Sequence, residues 1–112
     1  MLRLNLREYL TQNGRSPFNE WLEGLRDLQA RARVEVRLDR ASLGNLGDYA
    51  SIGGGVCELR IFHGPGYRVY YSLEDEAVML LLFGGVKGTQ QRDIRVAKAY
   101  LADYRKQQSG TE

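Results

Sequence analysis

Ala77 to Phe83 is an unbroken apolar run with no polar side to offer to water. Successive side chains of a strand point to opposite faces. Val78 to Phe83 therefore reads as a central strand covered on both sides. The run is far too short to span a membrane as a helix. At 112 residues, 43% of them hydrophobic, the chain is one small domain with enough apolar content for a compact core. The domain is expected over residues 1–106, with 107–112 a disordered tail.

Other segments carry their own signatures. Leu2, Leu4 and Leu6 alternate with Arg3, Asn5 and Arg7, the period of a half-buried strand. Ser16-Pro17 starts a helix, with Ser16 as cap and Pro17 where no hydrogen bond is lost. Phe18, Trp21, Leu22, Leu25 and Leu28 follow at helical spacing. A second helix runs from about Ala30 to Leu43, with Ala30, Val34, Leu38 and Ala41 on one side and Gly44 as the stop. A connection this close predicts an antiparallel helix hairpin. Gly53-Gly54-Gly55 lacks the Lys-Ser/Thr of a phosphate loop and reads as a turning connection.

A strand hairpin comes next. Cys57, Leu59 and Ile61 alternate with Glu58, Arg60 and Phe62. Tyr67, Val69 and Tyr71 alternate with Arg68, Tyr70 and Ser72. A three-residue loop at 63–65 pairs Leu59 with Val69 and Arg60 with Arg68, whereas a four-residue loop puts a charge on the core face. The first register is expected. It sets two arginines directly opposite on one face, where they repel. Such a face either is wet or binds an anion, or its charge is neutralised by Glu58 and nearby acids at a solvent surface. Gly84-Gly85 ends the central strand, and Thr89 caps a last helix with Ile94, Ala97, Leu101 and Tyr104 as its stripe. The expected fold class is α+β: an N-terminal strand and helix hairpin on a largely antiparallel four-stranded sheet, with a C-terminal helix.

Charge and motif content narrow the chemistry. The 16 basic residues are 13 arginines and three lysines, against 14 acidic groups. Net charge is +2 over residues 1–40, −3 over 41–86 and +3 over 87–112. Arginine on the helices, Arg26, Arg33, Arg37 and Arg40, is interleaved with Asp27, Glu35 and Asp39 and reads as a solvated face with local ion pairs. There is no nucleophile elbow, Walker motif, His-Glu-x-x-His or dinucleotide fingerprint. One cysteine and one histidine do not make a structural zinc site, and no cofactor or metal is expected. With no secretory signal pattern and no disulfide partner for Cys57, a reducing cytoplasm is the expected setting.

What remains is a set of cations, tyrosines and His63. That set suits RNA cleavage by the 2′-hydroxyl of the RNA itself. The reaction needs a base, cations on the phosphorane oxygens and an acid for the leaving 5′-oxygen. Arg60, Arg68 and Lys87 supply charge, and His63 or Tyr70 moves protons. Aromatic side chains on an exposed sheet face also stack on bases.

The blocks Glu58-Leu-Arg60, Gly64-Pro-Gly-Tyr-Arg68 and Lys87-Gly-Thr-Gln90, with Ser16-Pro-Phe-Asn-Glu-Trp-Leu22 before them, resemble the RelE/ParE superfamily of bacterial type II toxins, and within it the phage-derived HigB-like branch. The resemblance covers nearly the whole chain up to about Arg105. It implies a RelE-like fold and a toxin that cleaves mRNA on the ribosome without a metal. It also implies a cognate helix-turn-helix antitoxin, HigA-like, that forms an oligomer with it. Arg60, Arg68 and Lys87 fall on the branch's sheet arginines and its Lys-x-Thr-Gln lysine. The superfamily also implies an alternative, a ParE-like, non-enzymatic inhibitor of DNA gyrase; Val86 and Gly88, where the chain departs from the branch, leave open a second, a decayed toxin that only binds its antitoxin.

Overall fold

A computed structural model describes residues 3–110, so Leu2 of the first predicted strand and the last two residues of the predicted tail lie outside the described residues. Its strands are β1 (Asn5–Glu8), β2 (Tyr49–Ser51), β3 (Cys57–Ile61), β4 (Tyr67–Glu74) and β5 (Val78–Val86). Its helices are α1 (Pro17–Glu23), α2 (Leu28–Ser42) and α3 (Gln90–Gln108), with a 3₁₀ turn at Lys87–Thr89. One sheet runs in the order β1-β5-β4-β3-β2. Only β1 and β5 are parallel. The class is α+β as expected, with five strands in place of four. Among the described residues no helix is long and apolar enough to cross a membrane.

β5 is buried along most of its length, and its two faces belong to different cores. Met79 and Leu81 pack with Phe18 and Leu22 of α1 and with Ala30, Val34, Leu38 and Ala41 of α2. Leu80 and Leu82 pack with Ala97, Leu101 and Tyr104 of α3, and with Tyr9 just beyond β1. A bulge adjusts the fit: Tyr70 pairs with Phe83 and Tyr71 with Leu81, so Leu82 is the extra residue. Leu82 and Phe83 both join the α3 side.

Local rules placed most of the elements. The Ser16 hydroxyl accepts the Asn19 amide at 3.1 Å, with Pro17 opening α1. α1 stops at Gly24, and Asp27 caps α2 by accepting the Gln29 and Ala30 amides. Leu28 therefore starts α2 and is exposed, not part of the α1 face. Leu6 is also exposed, because β1 sits at the sheet edge. Gly53, Gly54 and Gly55 all adopt positive φ, the tight turning connection expected there. β2 was not foreseen: three residues among glycines have no period, and pairing with the free edge of β3 makes them a strand. α3 continues through Gln107 and Gln108, the first residues of the predicted tail.

Gly84 and Gly85 do not end the strand; both lie inside β5. A Cβ on Gly84 would sit 2.1 Å from the Trp21 ring, and one on Gly85 would sit 1.9 Å from the Asp93 carboxylate. The pair lets one aromatic and one acid press onto opposite faces of the strand. Gly84→Ala is expected to cost about 2–3 kcal/mol through overpacking. Gly88→Ala, where an added Cβ meets nothing within 4 Å, should stay within about 0.5 kcal/mol of the wild type. Urea denaturation midpoints for the two variants test the difference.

Candidate functional site

β3 and β4 adopt the predicted register, with Leu59 opposite Val69 and Arg60 opposite Arg68. Leu59, Ile61, Tyr67, Val69 and Tyr71 face the α1/α2 core. Glu58, Arg60, Arg68 and Tyr70 share the opposite face, towards α3. The facing arginines meet on the buried Glu58 carboxylate. Its Oε2 accepts Arg60 Nε at 2.9 Å and Arg68 Nη1 at 3.4 Å. Gln90 Nε2, from the first turn of α3, donates to Glu58 Oε1 at 3.0 Å. Neutralisation by Glu58 is one of the two compensations expected, but it comes from a covered carboxylate rather than a solvated one. Asp48 adds a second, looser contact to Arg60 at 3.6 Å.

The two arginines are not equally accessible. The Arg60 side chain is 37% exposed and that of Arg68 is 11%. Tyr70 is not on an exposed face at all. α3 covers it completely, and its hydroxyl has no partner among the described residues. Burial, then the nearby charges of Glu58 and Asp93, push its phenol well above the usual tyrosine range. A covered, firmly protonated phenol neither stacks on a base nor accepts a proton from substrate. Tyr70 is a core residue here.

Lys87 reaches the hairpin through backbone pairing. Tyr67 pairs with Val86, and the Lys87 amide donates to the Gly66 carbonyl at 2.9 Å. Thr89 sits at the N-cap position of α3, yet its hydroxyl donates to the Val86 carbonyl and, at 2.5 Å, to Asp93 Oδ2. The predicted cap is instead a clamp between β5 and α3.

His63 packs on the ring of Tyr67, centroids 6.3 Å apart, and its Nε2 is 3.0 Å from Asp27 Oδ2. Asp27 is thus shared: Oδ1 caps α2, and Oδ2 orients the imidazole. The Asp27 carboxyl is held below the usual aspartate range by the Ala30 amide first and by His63 second. With Nε2–H donating to the carboxylate, Nδ1 is the ring nitrogen left to take a proton.

Four of the five predicted site residues line one cleft of about 410 Å³: Arg60, His63, Arg68 and Lys87, around the Gly64-Pro65-Gly66 turn. Tyr70 lies beneath the sheet surface, outside it. Among the described residues no three His, Cys, Asp or Glu side chains gather as metal ligands. The chemistry on offer is anion binding by cations, with one carboxylate-oriented imidazole beside them. Sequence reasoning named Gln90 only within the Lys87-Gly-Thr-Gln90 block and Asp27 only as an ion-pair partner on the helix face; it did not foresee that Gln90 meets Glu58 or that Asp27 meets His63. Arg37 was also misassigned. Its guanidinium leaves the solvated face and donates to the carbonyls of Arg60, Leu46 and Asp48, so burial lowers its pKa.

No family model matches the sequence. Over 81 residues it is 44% identical to a protein of Haemophilus influenzae described as an uncharacterized protein, a match covering 72% of this chain and 82% of that one.

Glu58→Gln removes the carboxylate that Arg60 and Arg68 share, leaving only the looser Asp48 contact to Arg60, and should cost about 3 kcal/mol. Adding Arg60→Gln should recover part of the loss; a Glu58→Gln protein melting like the wild type would sink this account. A second outcome concerns alkali. Tyr9, Tyr70 and Tyr71 all have raised pKa values, with burial as the largest cause, so the folded state holds protons the unfolded chain releases near pH 10. Their stabilisation is complete below pH 10 and declines above it, by up to about 1.4 kcal/mol per group per pH unit. Denaturation midpoints from pH 9 to 11 should fall, and phenolate absorbance at ~295 nm should lag until unfolding.

Proposed function

The chain belongs to the family of the Haemophilus influenzae protein, and for it we propose the activity of a metal-independent endoribonuclease, the toxin of a type II toxin–antitoxin module with a RelE-like, HigB-like fold. The observation that carries the reading is the single cleft in which Arg60, Arg68 and Lys87 stand beside His63. RNA cleavage there needs no protein nucleophile. The 2′-oxygen attacks the adjacent phosphorus as His63 takes its proton. The phosphorane's added negative charge lies against Arg60, Arg68 and Lys87. The bond to the 5′-oxygen breaks and that oxygen takes a proton, giving a 2′,3′-cyclic phosphate and a 5′-hydroxyl. Buried Glu58 keeps two like charges close before substrate arrives, so little reorganisation accompanies the reaction.

The ribosome supplies the mRNA in this reading. A helix-turn-helix antitoxin supplies the control, with both partners in the cytoplasm. Neutralisation of Arg60 and Arg68 by Glu58 is the observation that favours a second reading, a ParE-like protein that binds and inhibits DNA gyrase without catalysis. Fold alone does not separate the two.

Induced expression without the antitoxin, followed by mapping of new mRNA 5′ ends and a gyrase supercoiling assay, decides between them. Cleaved mRNA with normal supercoiling supports the endonuclease. Intact mRNA with inhibited gyrase supports the alternative. Neither effect identifies a decayed toxin. Lys87 is exposed, and among the described residues its side chain makes no ion pair, so Lys87→Ala should stay folded yet lose about 100-fold in cleavage rate. Arg60→Ala should lose a similar factor, with folding checked by its melting transition.

A further inference from the structure

The α3-side chemistry ends at the hairpin, but the cationic surface does not. A second groove, about 610 Å³, lies between α2 and the end of β3 and is lined by Gln29, Arg33, Val36, Arg37, Arg40 and Phe62, among others. Ile61 and Phe62 line both this groove and the cleft of Arg60, His63, Arg68 and Lys87. Phe62 is thus the ridge between them, and at 80% exposure it is the most exposed large apolar residue among those described.

Neither depression is lined by an acidic residue. Together they gather Arg33, Arg37, Arg40, Arg60, Arg68 and Lys87 in a protein whose net charge is only +2. Glu58 lies under Arg60 and Arg68, Asp48 beside Arg60 and Asp27 on His63, while Glu35 and Asp39 of α2 line a different depression, with Leu6, Phe18 and Leu22. Arg33 and Arg40 make no ion pair among the described residues. They stand seven residues apart on α2, about 10 Å along the helix. Arg37 between them is fastened to backbone carbonyls, which holds the helix against β3.

Resting on the endonuclease reading, we propose that single-stranded RNA runs from the catalytic cleft over Phe62 into the α2 groove. A base next to the scissile phosphate stacks on the Phe62 ring, and Arg33 and Arg40 take the phosphates beyond it. An exposed aromatic flanked by unpaired cations is the arrangement that binds single strands without reading sequence. A protein anchor would sit within an apolar ring that excludes water, whereas Phe62 stands on a ridge flanked by guanidinium groups. Phe62 is a positioning residue in this proposal, acting by holding the strand in register with Arg60 and Lys87.

The test is fluorescence anisotropy at low salt with a labelled 2′-O-methyl RNA oligonucleotide, which has no 2′-hydroxyl to react. Phe62→Ala should weaken binding about tenfold and Phe62→Trp should restore it, because stacking rather than bulk is at stake. Arg33→Ala with Arg40→Ala should weaken binding and flatten the slope of log affinity against log salt by about 1.4. If these variants bind like the wild type while Arg60→Ala and Lys87→Ala bind weakly, the strand path is overturned and the endonuclease reading stands. Equal weakness in Phe62→Ala and Phe62→Trp overturns stacking. Absence of binding of the free oligonucleotide by the wild type overturns the strand path, while the endonuclease reading stands or falls separately on the mRNA cleavage mapping.

Discussion

β5 has no face that water can satisfy, and the rest of the chain is arranged around that demand. A strand of this kind must be covered twice, once by α1 and α2 and once by α3. Covering both faces within one small domain brings the two ends of the sequence to opposite sides of the same strand. Gly84 and Gly85 make the closest approaches, one under Trp21 and one under Asp93. Because only the 3₁₀ turn at Lys87–Thr89 separates β5 from α3, the first turn of α3 falls over the Glu58 face, where Gln90 joins the polar cluster. The candidate site is thus a by-product of how the central strand is buried.

Electrostatics decides what that site can be. Two arginines on neighbouring strands repel, and an exposed pair of this kind contributes little to stability. Here a buried carboxylate accepts from both, so one negative charge holds two positive ones in place, and Arg60 remains partly open to solvent. His63 is arranged by the same logic on the other side of the turn, its ring set by a carboxylate that also caps a helix. Both carboxylates do structural and site-building work at once, so the site is tied to the stability of the fold.

Much of this is legible residue by residue. The β3–β4 register follows from keeping charge off the core face, and it places Arg60 opposite Arg68. The Ser16-Pro17 start and the apolar stripes of α2 and α3 follow from local capping and periodicity. The errors have a common source. Tyr70 alternates correctly onto the non-core face of the hairpin, but that face is itself a core once α3 lies on it. Leu28 keeps helical spacing with Leu25, but Gly24 and Asp27 divide the segment into two helices. β2 has no pattern because what makes it a strand is its pairing with the edge of β3. Phe62 did carry a signal, a large aromatic in the polar phase of an alternating strand beside a turn.

The sequence by itself determined the fold class, the buried central strand, the hairpin register and the arginine pair, because each depends on period-2 or period-3.6 patterning along a few residues. Only the tertiary structure decided which of those residues share a cleft. Arg60, His63, Arg68 and Lys87 come together there, and Tyr70 is sealed away. The reason is that α3 and the α1–α2 connection arrive from distant points of the chain. Packing and ion pairing between such segments depend on three-dimensional proximity, which no local pattern encodes.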